Sequence, residues 1–168
     1  MLSSCVSLKS TWTAHQSIDI RAQAQDVFTL LCDVPSWPSW DEGLTAAYLQ
    51  DPSSLEIGST GTLVMRNYGS FQFTITKLDP SGYFSYETKL TGVTAVWYWK
   101  FDCSSAQSLK TGTLELEIGV IFTGYLAPWY KFWFEKDCNE GFEKACVNMK
   151  NLLEGPMIDL MKIKKSLL

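Results

Sequence analysis

The stretch Phe122-Thr-Gly-Tyr-Leu-Ala-Pro128 leads into a long run that Gly155-Pro156 breaks off, and this run decides the fold. Pro128 suits a first helical turn, because its missing N–H would have no intrahelical partner there. At 100° per residue, the apolar and charged side chains of the run separate onto opposite sides. The apolar side holds Cys138, Phe142, Ala145, Cys146, Met149, Leu152 and Leu153; the opposite side holds Lys136, Asp137, Glu140, Lys144, Asn151 and Glu154. The pattern predicts one long amphipathic helix.

The chain before this helix consists mainly of segments with the period-two alternation of half-buried strands. The predicted strands are residues 12–20, 44–49, 62–66, 71–76, 83–90, 93–103 and 114–122. Residues 24–32 instead have a short helical pattern, and the proline-rich residues 33–43 predict a single turn that holds Trp37 and Trp40 against the core. Short connections between strands are typical of an antiparallel sheet. We therefore expect an α+β fold in which the long helix covers one face of one sheet of about seven strands.

The composition is that of one globular domain. The chain has 168 residues, of which 46% are apolar and 19% are charged, and 14% are aromatic. We expect a domain over residues 12–155, a flexible segment over residues 1–11 and a separate tail over residues 156–168, whose lysines predict either a solvated tail or a short basic amphipathic helix. The net charge of −4 and the isoelectric point near 5.0 argue against nucleic acid as a partner.

The five cysteines do not form a recognisable disulfide or metal pattern. Their number is odd, and the chain has neither a C-x-x-C motif nor a Cys/His cluster. We therefore expect no metal. We also expect no cofactor, because the sequence has no glycine-rich loop of the kind that binds phosphate. The sequence also lacks a signal peptide and a run long enough to span a membrane. These features predict a cytoplasmic protein in a reducing compartment.

Four short motifs occur between residues 18 and 61: Ile18-Asp-Ile20, Asp26-Val-Phe28, Trp37-Pro-Ser-Trp-Asp41 and Gly58-Ser-Thr-Gly61. Together they resemble the opening signature of the START-like, or SRPBCC, superfamily. The segment from Phe122 to Pro128 and the helix that follows it are similar to the close of the polyketide-cyclase-like branch. The resemblance covers roughly residues 12 to 155. It implies a helix-grip fold, in which a curved antiparallel sheet wraps around the long helix, with two short helices after the first strand and an apolar cavity between sheet and helix.

The strand pattern identifies the side chains that would face this cavity. In the sixth predicted strand, Tyr98, Lys100 and Asp102 are assigned to the solvent face, so their neighbours point at the helix. The predicted apolar ligand-binding residues are Phe73, Trp97, Trp99, Phe101, Leu116, Ile118, Phe142 and Met149. Such a wall of rings with few polar groups suits an apolar ligand. The alternative is that these rings fill the space and leave no cavity.

Three polar residues are further candidates for the same site, and each has a simpler alternative. Arg66 could orient an anionic oxygen or lie at the surface, and Tyr86 could donate to a ligand carbonyl or pair with the backbone. Glu135 falls in the inward stripe of the helix, where burial would raise its pKa, but it could also form an ion pair with Lys131 one turn earlier. The only histidine, His15, shares a strand face with polar residues and is interpreted as a surface residue. Catalytic residues remain unassigned.

The start of the helix departs from the family pattern, because it reads Trp129-Tyr-Lys-Phe-Trp-Phe134. These rings surround the helix, so some must meet loops, a partner or the cavity mouth. Burial under the Trp37–Trp40 turn is one account; an exposed patch that supports a homodimer or a peripheral membrane contact is the other.

Three functions follow from these observations. The favoured hypothesis is a module that binds a small hydrophobic or aromatic molecule, such as a lipid or polyketide. The second is an enzyme of the polyketide cyclase or dehydratase type, and the third is a protein-interaction domain like the co-chaperones of the superfamily. The third predicts no cavity.

Overall fold

The computed structural model describes residues 10–102 and 113–155 of the chain. Seven strands, a short helix, a 3-10 helix and one long helix follow one another in this part. In chain order they are β1 (Ser10–Ile20), α1 (Ala24–Cys32), the 3-10 helix (Val34–Ser39), β2 (Leu44–Leu49), β3 (Thr60–Met65), β4 (Gly69–Asp79), β5 (Tyr83–Leu90), β6 (Val93–Asp102), β7 (Leu114–Gly124) and α2 (Ala127–Glu154).

All seven strands form one antiparallel sheet in the order β1-β7-β6-β5-β4-β3-β2. The first strand pairs with the last along its whole length, from Ser10 opposite Gly124 to Ile20 opposite Leu114. The register shifts between Ile75 and Lys77, where β4 pairs with β5. Such bulges bend a strand and increase its twist, which helps a sheet to curve around a helix.

The hydrophobic core on the inner face of the sheet is built around Trp37, which the 3-10 helix holds in a fully buried position. Its ring lies 5.2 Å from Tyr86 and 5.5 Å from Phe73, measured between ring centroids. Its indole N–H donates to the carbonyl of Leu31 at 2.9 Å, so the buried polar group is paired. The aromatic residues of the strands therefore pack on a fixed support beneath the long helix.

The second half of α2 is anchored to the rest of the fold. Lys150 donates to the carbonyl of Asp19 at 2.8 Å, and Glu154 accepts from the backbone N–H of Arg21 at 2.7 Å. Asn148 donates to the carbonyl of Trp40 at 3.2 Å. Among the inner residues of the helix, Phe142, Ala145, Cys146 and Met149 are buried. The first half of the helix extends from this anchored part across the open side of the sheet.

The structure confirms the helix-grip fold and the expected positions of all seven strands. The predicted turn at residues 33–43 does hold Trp37 and Trp40 in the core. Several boundaries differ by a few residues. β1 already begins at Ser10, inside the segment predicted to be flexible; β3 spans Thr60–Met65, β4 spans Gly69–Asp79, and β7 continues to Gly124. The rest of that segment, Cys103 and the tail at residues 156–168 lie outside the described residues.

Two side chains, Leu152 and Tyr98, differ in exposure from what the pattern predicted. Leu152 was assigned to the inner stripe of the helix but is exposed, whereas its neighbour Leu153 is half-buried against the core. Tyr98 was assigned to a wet face but is buried. Its ring stacks on Tyr83 and lies over Gly119, where a Cβ would come within 2.5 Å of the ring. A glycine on the neighbouring strand thus makes room for a tyrosine on the outer face.

Candidate functional site

A cavity of about 930 Å³ lies between the sheet and the first half of α2. Its inner wall consists of side chains from β5, β6 and β7, and its roof consists of helix residues. The lining includes Tyr86, Thr88, Leu90, Trp97, Trp99, Ile118 and Phe122 from the strands, and Trp129, Trp133, Phe134, Cys138, Gly141, Phe142 and Ala145 from the helix. The volume is in the range of pockets for drug-sized molecules, and most of the lining is apolar. The rings of the sheet therefore do not fill the space beneath the helix.

The position of each ring in the wall follows from the strand register. Tyr86 lies opposite Trp97, and Phe84 lies opposite Trp99, so one face of the β5–β6 pair carries four aromatic rings. Trp97 donates its indole N–H to the hydroxyl of Thr88 at 3.1 Å, and its ring meets the edge of Phe142 at 6.1 Å between centroids. These contacts fix the ring of Trp97 between the sheet and the helix.

Two contacts join the helix to the opposite rim and flank the mouth of the cavity. The hydroxyl of Tyr68, in the β3–β4 turn, donates to the carboxylate of Asp137, and its ring meets the edge of Phe134 at 5.2 Å between centroids. The hydrogen bond is the main cause that raises the pKa of Tyr68. Farther along the helix, Lys144 lies 3.7 Å from Glu42. Because Tyr68, Asp137, Lys144 and Glu42 are all exposed, these ties are weak enough to open.

Asp41 places a carboxyl group in the cavity wall. It follows the 3-10 helix, and its side chain accepts the backbone N–H of Gly43 at 2.9 Å. Burial raises the pKa of Asp41; the hydrogen bond from Gly43 opposes this shift, and the charge of Glu42 adds to it. Burial also raises the pKa of Tyr86 well above its ordinary value, and the negative charge of Asp41 contributes. The cavity thus contains a carboxyl group that holds its proton more tightly than usual and a tyrosine that stays neutral.

Two indole groups of the wall bury their N–H donors without a partner in the described part of the chain. They belong to Trp40 and Trp99, whose rings pack edge to face at 5.9 Å between centroids. An unpaired buried donor costs free energy. A bound molecule that brought a hydrogen-bond acceptor to either group would recover part of this cost.

The predicted site residues divide into two groups. Arg66, Tyr86, Trp97, Trp99, Ile118 and Phe142 line the cavity. Phe73, Phe101, Leu116 and Met149 do not line it: all four are buried in the packed core. Period-two alternation assigns these residues correctly to the inner face, but it cannot tell which inner positions meet another side chain and which meet the cavity.

Two of the polar candidates lie at the surface. Glu135 does not reach the cavity, because it is exposed and lies 3.8 Å from Lys131, as the simpler alternative predicted. Arg66 is also exposed, and its Nε donates to the carbonyl of Glu42 at 3.2 Å on the rim. Tyr86 is therefore the one polar candidate of the three that lies in the interior of the cavity.

The aromatic residues at the start of α2 are not buried under the Trp37–Trp40 turn. Tyr130 and Phe134 are half-buried and form a stack with Phe122, whereas Trp129, Phe132 and Trp133 are exposed. The interpretation in which these rings are buried under the Trp37–Trp40 turn is therefore wrong for Trp129, Phe132 and Trp133. The helix carries more rings at its start than the sheet can cover.

Sequence reasoning missed Asp41, Tyr68 and Asp137 as site residues. Asp41 was quoted only as part of the Trp-Pro-Ser-Trp-Asp motif, although a carboxylate that follows two core tryptophans indicates an acidic group near the interior. The contact between Tyr68 and Asp137 joins residues that are far apart in the sequence. No local sequence pattern predicts the contact between Tyr68 and Asp137.

Burial makes the cysteine thiols of the helix poor nucleophiles. It raises the pKa of Cys138 to about 12 and that of Cys146 to about 11. Over residues 10–102 and 113–155, no cluster of three or more His, Cys, Asp or Glu side chains could hold a metal ion. None of the helices in the same ranges combines the length and apolarity needed to cross a bilayer.

Known structures share the fold at low sequence identity. Norcoclaurine synthase from Thalictrum flavum superposes with a TM-score of 0.66 at 10% identity, over 88% of this chain and 89% of that one. Ginseng major latex-like protein 151 from Panax ginseng gives 0.64 at 8% identity, over 85% and 97%. The di-domain ARO/CYC protein StfQ of the steffimycin biosynthetic pathway gives 0.62 at 10% identity, over 86% of this chain and 51% of that one. At these identities the likeness shows the fold alone.

A sequence family gives a more specific assignment. No curated protein matches the chain, but the family described as "Polyketide cyclase / dehydrase and lipid transport" matches residues 11–154. The match spans both the sheet and the long helix, and thus every element that encloses the cavity. The chain therefore belongs to the polyketide cyclase/dehydrase and lipid transport family of the SRPBCC superfamily.

Proposed function

We propose that this protein binds a small, largely apolar molecule, such as a lipid or an aromatic polyketide, in the cavity between the sheet and α2. The observation that carries the proposal is an open volume of about 930 Å³ with a mostly apolar wall that is rich in aromatic rings. A domain that needed these rings only for packing would lose free energy by leaving such a space, because an unfilled cavity forfeits dispersion contacts. The family description, which includes lipid transport, supports the same class of ligand.

The charges around the cavity favour a neutral ligand. Among the described residues that line it, the cations are Arg66 and Lys144, and both are exposed on the rim. The carboxylate of Glu42 lies 3.7 Å from Lys144, the backbone carbonyl of Glu42 accepts from Arg66, and Asp41 lies deeper. A free fatty acid would therefore find no cation in the interior to pair with its carboxylate, whereas a neutral lipid or an uncharged polycyclic molecule would not need one.

A cavity-filling substitution tests the proposal. Ile118→Trp adds a large ring to the cavity wall, and Ile121→Trp places the same ring on the opposite face of β7. With the neutral dye N-phenyl-1-naphthylamine as the probe, we expect wild-type protein and Ile121→Trp to bind with enhanced fluorescence. Ile118→Trp should bind at least about tenfold more weakly, a factor that corresponds to about 1.4 kcal/mol. Equal binding by both variants, or no binding by wild type, would contradict the proposal.

Native mass spectrometry of gently purified protein provides a second, independent measurement. We expect a mass increment of a few hundred daltons that disappears on denaturation and is absent from Ile118→Trp. The released molecule would identify the ligand directly.

A second candidate function is catalysis of the polyketide cyclase or dehydratase type. The observation that favours it is the pair formed by Asp41, with its raised pKa, and the neutral Tyr86 in the same cavity. A carboxyl group could exchange protons with a carbon next to a ketone, and a phenol could donate to the enolate oxygen.

The three described cysteines are unpaired, which agrees with the reducing cytoplasmic compartment that we propose for either function.

The two functions differ in what Asp41→Asn and Tyr86→Phe would do. If the cavity is catalytic, both variants should lose at least about a hundredfold in the rate of ring closure of a linear poly-β-ketone mimic. If it only carries a ligand, wild-type protein should not accelerate the reaction at all, while it still binds the naphthylamine dye.

A further inference from the structure

Three large aromatic side chains project from the first turns of α2 into solvent. The exposed fractions are 62% for Trp129, 81% for Phe132 and 66% for Trp133. Residues spaced three and four apart lie on one face of a helix, so the three rings form one continuous surface. We call this surface the aromatic face. Other rings of the same helical turns, Tyr130 and Phe134, already pack against the domain, so the aromatic face does not serve the core.

The aromatic face borders the mouth of the cavity. Trp129 and Trp133 line the cavity with part of their rings and expose the remainder, whereas Phe132 does not line it. A partner bound to the aromatic face would therefore lie beside the cavity. A partner that exchanges apolar molecules with the cavity would be well placed at this position.

The charges next to the aromatic face cancel in pairs. Lys131 lies 3.8 Å from Glu135, and Lys136 lies 3.7 Å from Glu140. Asp137, the next carboxylate, accepts the hydroxyl of Tyr68. This region offers no excess of positive charge to attract anionic phospholipids or an acidic protein, so a partner must be recognised through its apolar and dipolar groups.

The size of the aromatic face argues against a stable homodimer. Its three side chains expose on the order of 500 Å² in total, if each aromatic side chain presents roughly 150–250 Å² when fully exposed. A stable protein interface buries about 800 Å² on each partner. Insertion into a lipid interface needs no matching surface, and tryptophan and phenylalanine rings are suited to the boundary between headgroups and acyl chains.

We propose that the aromatic face docks the protein onto electrically neutral phospholipid bilayers, with the cavity mouth at the level of the headgroups. Docking rests on the exposed rings alone, so it does not depend on whether the cavity carries a ligand. It would allow an apolar molecule to pass between bilayer and cavity without crossing water.

Flotation of the full chain with phosphatidylcholine vesicles tests this proposal. Phe132→Glu introduces a charge at the most exposed ring, which does not line the cavity. The matched control is Leu152→Glu, which changes another exposed apolar residue of α2 in the same way, about 30 Å farther along the helix axis. We expect wild type and Leu152→Glu to float with the vesicles, and Phe132→Glu to bind them at least about tenfold more weakly. A blue shift of tryptophan emission should accompany binding of the wild type.

Several outcomes would overturn the proposal. They are equal flotation of Phe132→Glu and wild type, flotation that requires phosphatidylserine, or no flotation of a wild-type protein that sediments as a dimer. Binding of the naphthylamine dye by Phe132→Glu separates this test from that of the cavity. A variant that binds dye and fails to float supports docking, whereas a wild type that floats and binds no dye contradicts only the proposed ligand function.

Discussion

Asp41 shows at the residue scale how the cavity imposes a free-energy cost on the fold. Its carboxyl group is held in a wall of aromatic rings, next to Trp40 and near Tyr86, and burial raises its pKa. A structural domain would gain stability from an apolar residue at this position. A charged group retained against such a cost is a common property of binding and catalytic sites.

The raised pKa of Asp41 predicts how its replacement changes stability with pH. Below the ordinary value of 3.8 both folded and unfolded chains hold the proton; above it the unfolded chain loses the proton first. The free energy of unfolding therefore falls as pH rises through the folded-state pKa. Asp41→Asn keeps an oxygen for the Gly43 N–H and removes the charge. We expect it to be more stable than wild type at pH 7, with an advantage that shrinks towards pH 3 in urea denaturation.

Asp79→Asn is the matched control, for which the expected change in the free energy of unfolding at pH 7 has the opposite sign. Hydrogen bonds from the side chain and the backbone N–H of Ser81 lower the pKa of Asp79, so its charged form stabilises the fold. This stability is lost as pH falls through the folded-state pKa. Asp79→Asn should therefore be less stable than wild type at pH 7 and equal to it at low pH. The same trend in both variants would show that the Asp41 carboxyl group is not destabilised by burial.

Gly119 gives a second prediction at this scale. A Cβ at this position would lie 2.5 Å from ring atoms of Tyr98. We expect Gly119→Ala to lower the free energy of unfolding by about 1–3 kcal/mol, because the ring must move from its place between Tyr83 and the sheet. In the background of Tyr98→Ala the same substitution should cost much less, and a double-mutant cycle measured by chemical denaturation would show this coupling.

At the scale of elements, α2 has two halves with different tasks. Its second half is fixed by hydrogen bonds to the end of β1 and to Trp40, whereas its first half covers the cavity and reaches the opposite rim through Tyr68. The stack of Tyr130 on Phe122 holds the start of the helix on β7. Opening of the opposite rim for ligand exchange would break the exposed contacts of Tyr68 and Lys144, which are the weaker ties of this half.

Tyr68→Phe tests this division of the helix. The substitution keeps the ring against Phe134 and removes the hydrogen bond to Asp137. Loss of an exposed hydrogen bond worth about 0.5–1.5 kcal/mol would accelerate opening by roughly twofold to tenfold, which stopped-flow dissociation of the naphthylamine dye would detect. Tyr48→Phe, at an exposed tyrosine of β2, is the control and should leave the rate unchanged. Equal rates in all three proteins would mean that exchange does not pass this rim.

Gly141 adds a test of the roof of the cavity. It lies inside the helix, and a Cβ built there meets no atom within 4 Å. We expect Gly141→Ala to raise the free energy of unfolding by about 1 kcal/mol, because glycine is a poor helix former. If the glycine serves close approach of a ligand to the helix backbone, dye affinity should fall while stability rises. Unchanged affinity would leave Gly141 without a role in binding.

The fold was predictable from the sequence because its determining signals are local. Alternation in the strands, the Asp33-to-Gly43 turn and the amphipathic run after Pro128 each specify an element without reference to the others. The site was less predictable, since it depends on contacts between distant segments. Phe73 and Trp99 both occupy inward positions, but only the assembled structure shows that Phe73 packs on Trp37 and that Trp99 also faces the cavity. The exposed rings of α2 were similarly ambiguous, because periodicity does not reveal how far a sheet extends.

At the scale of the whole molecule, an empty cavity should limit stability and a bound ligand should restore it. The large space between sheet and helix deprives the surrounding rings of contacts, and two buried indole N–H groups, those of Trp40 and Trp99, have no partner among the described residues. A ligand that binds only the folded state stabilises it by RT ln(1 + [L]/Kd), which is about 2.7 kcal/mol at a concentration of 100 Kd.

This gain predicts the size of a thermal shift. For a domain of this length, each kcal/mol raises Tm by roughly 2–4 °C, so a saturating ligand at 100 Kd should raise Tm by roughly 5–10 °C. Scanning calorimetry with the naphthylamine dye would measure the shift in wild type, Ile118→Trp and Ile121→Trp. The cavity-filled variant should show no dependence on dye concentration, while the control should follow the wild type. A shift that is the same in all three would place binding elsewhere on the molecule, because only the cavity distinguishes them.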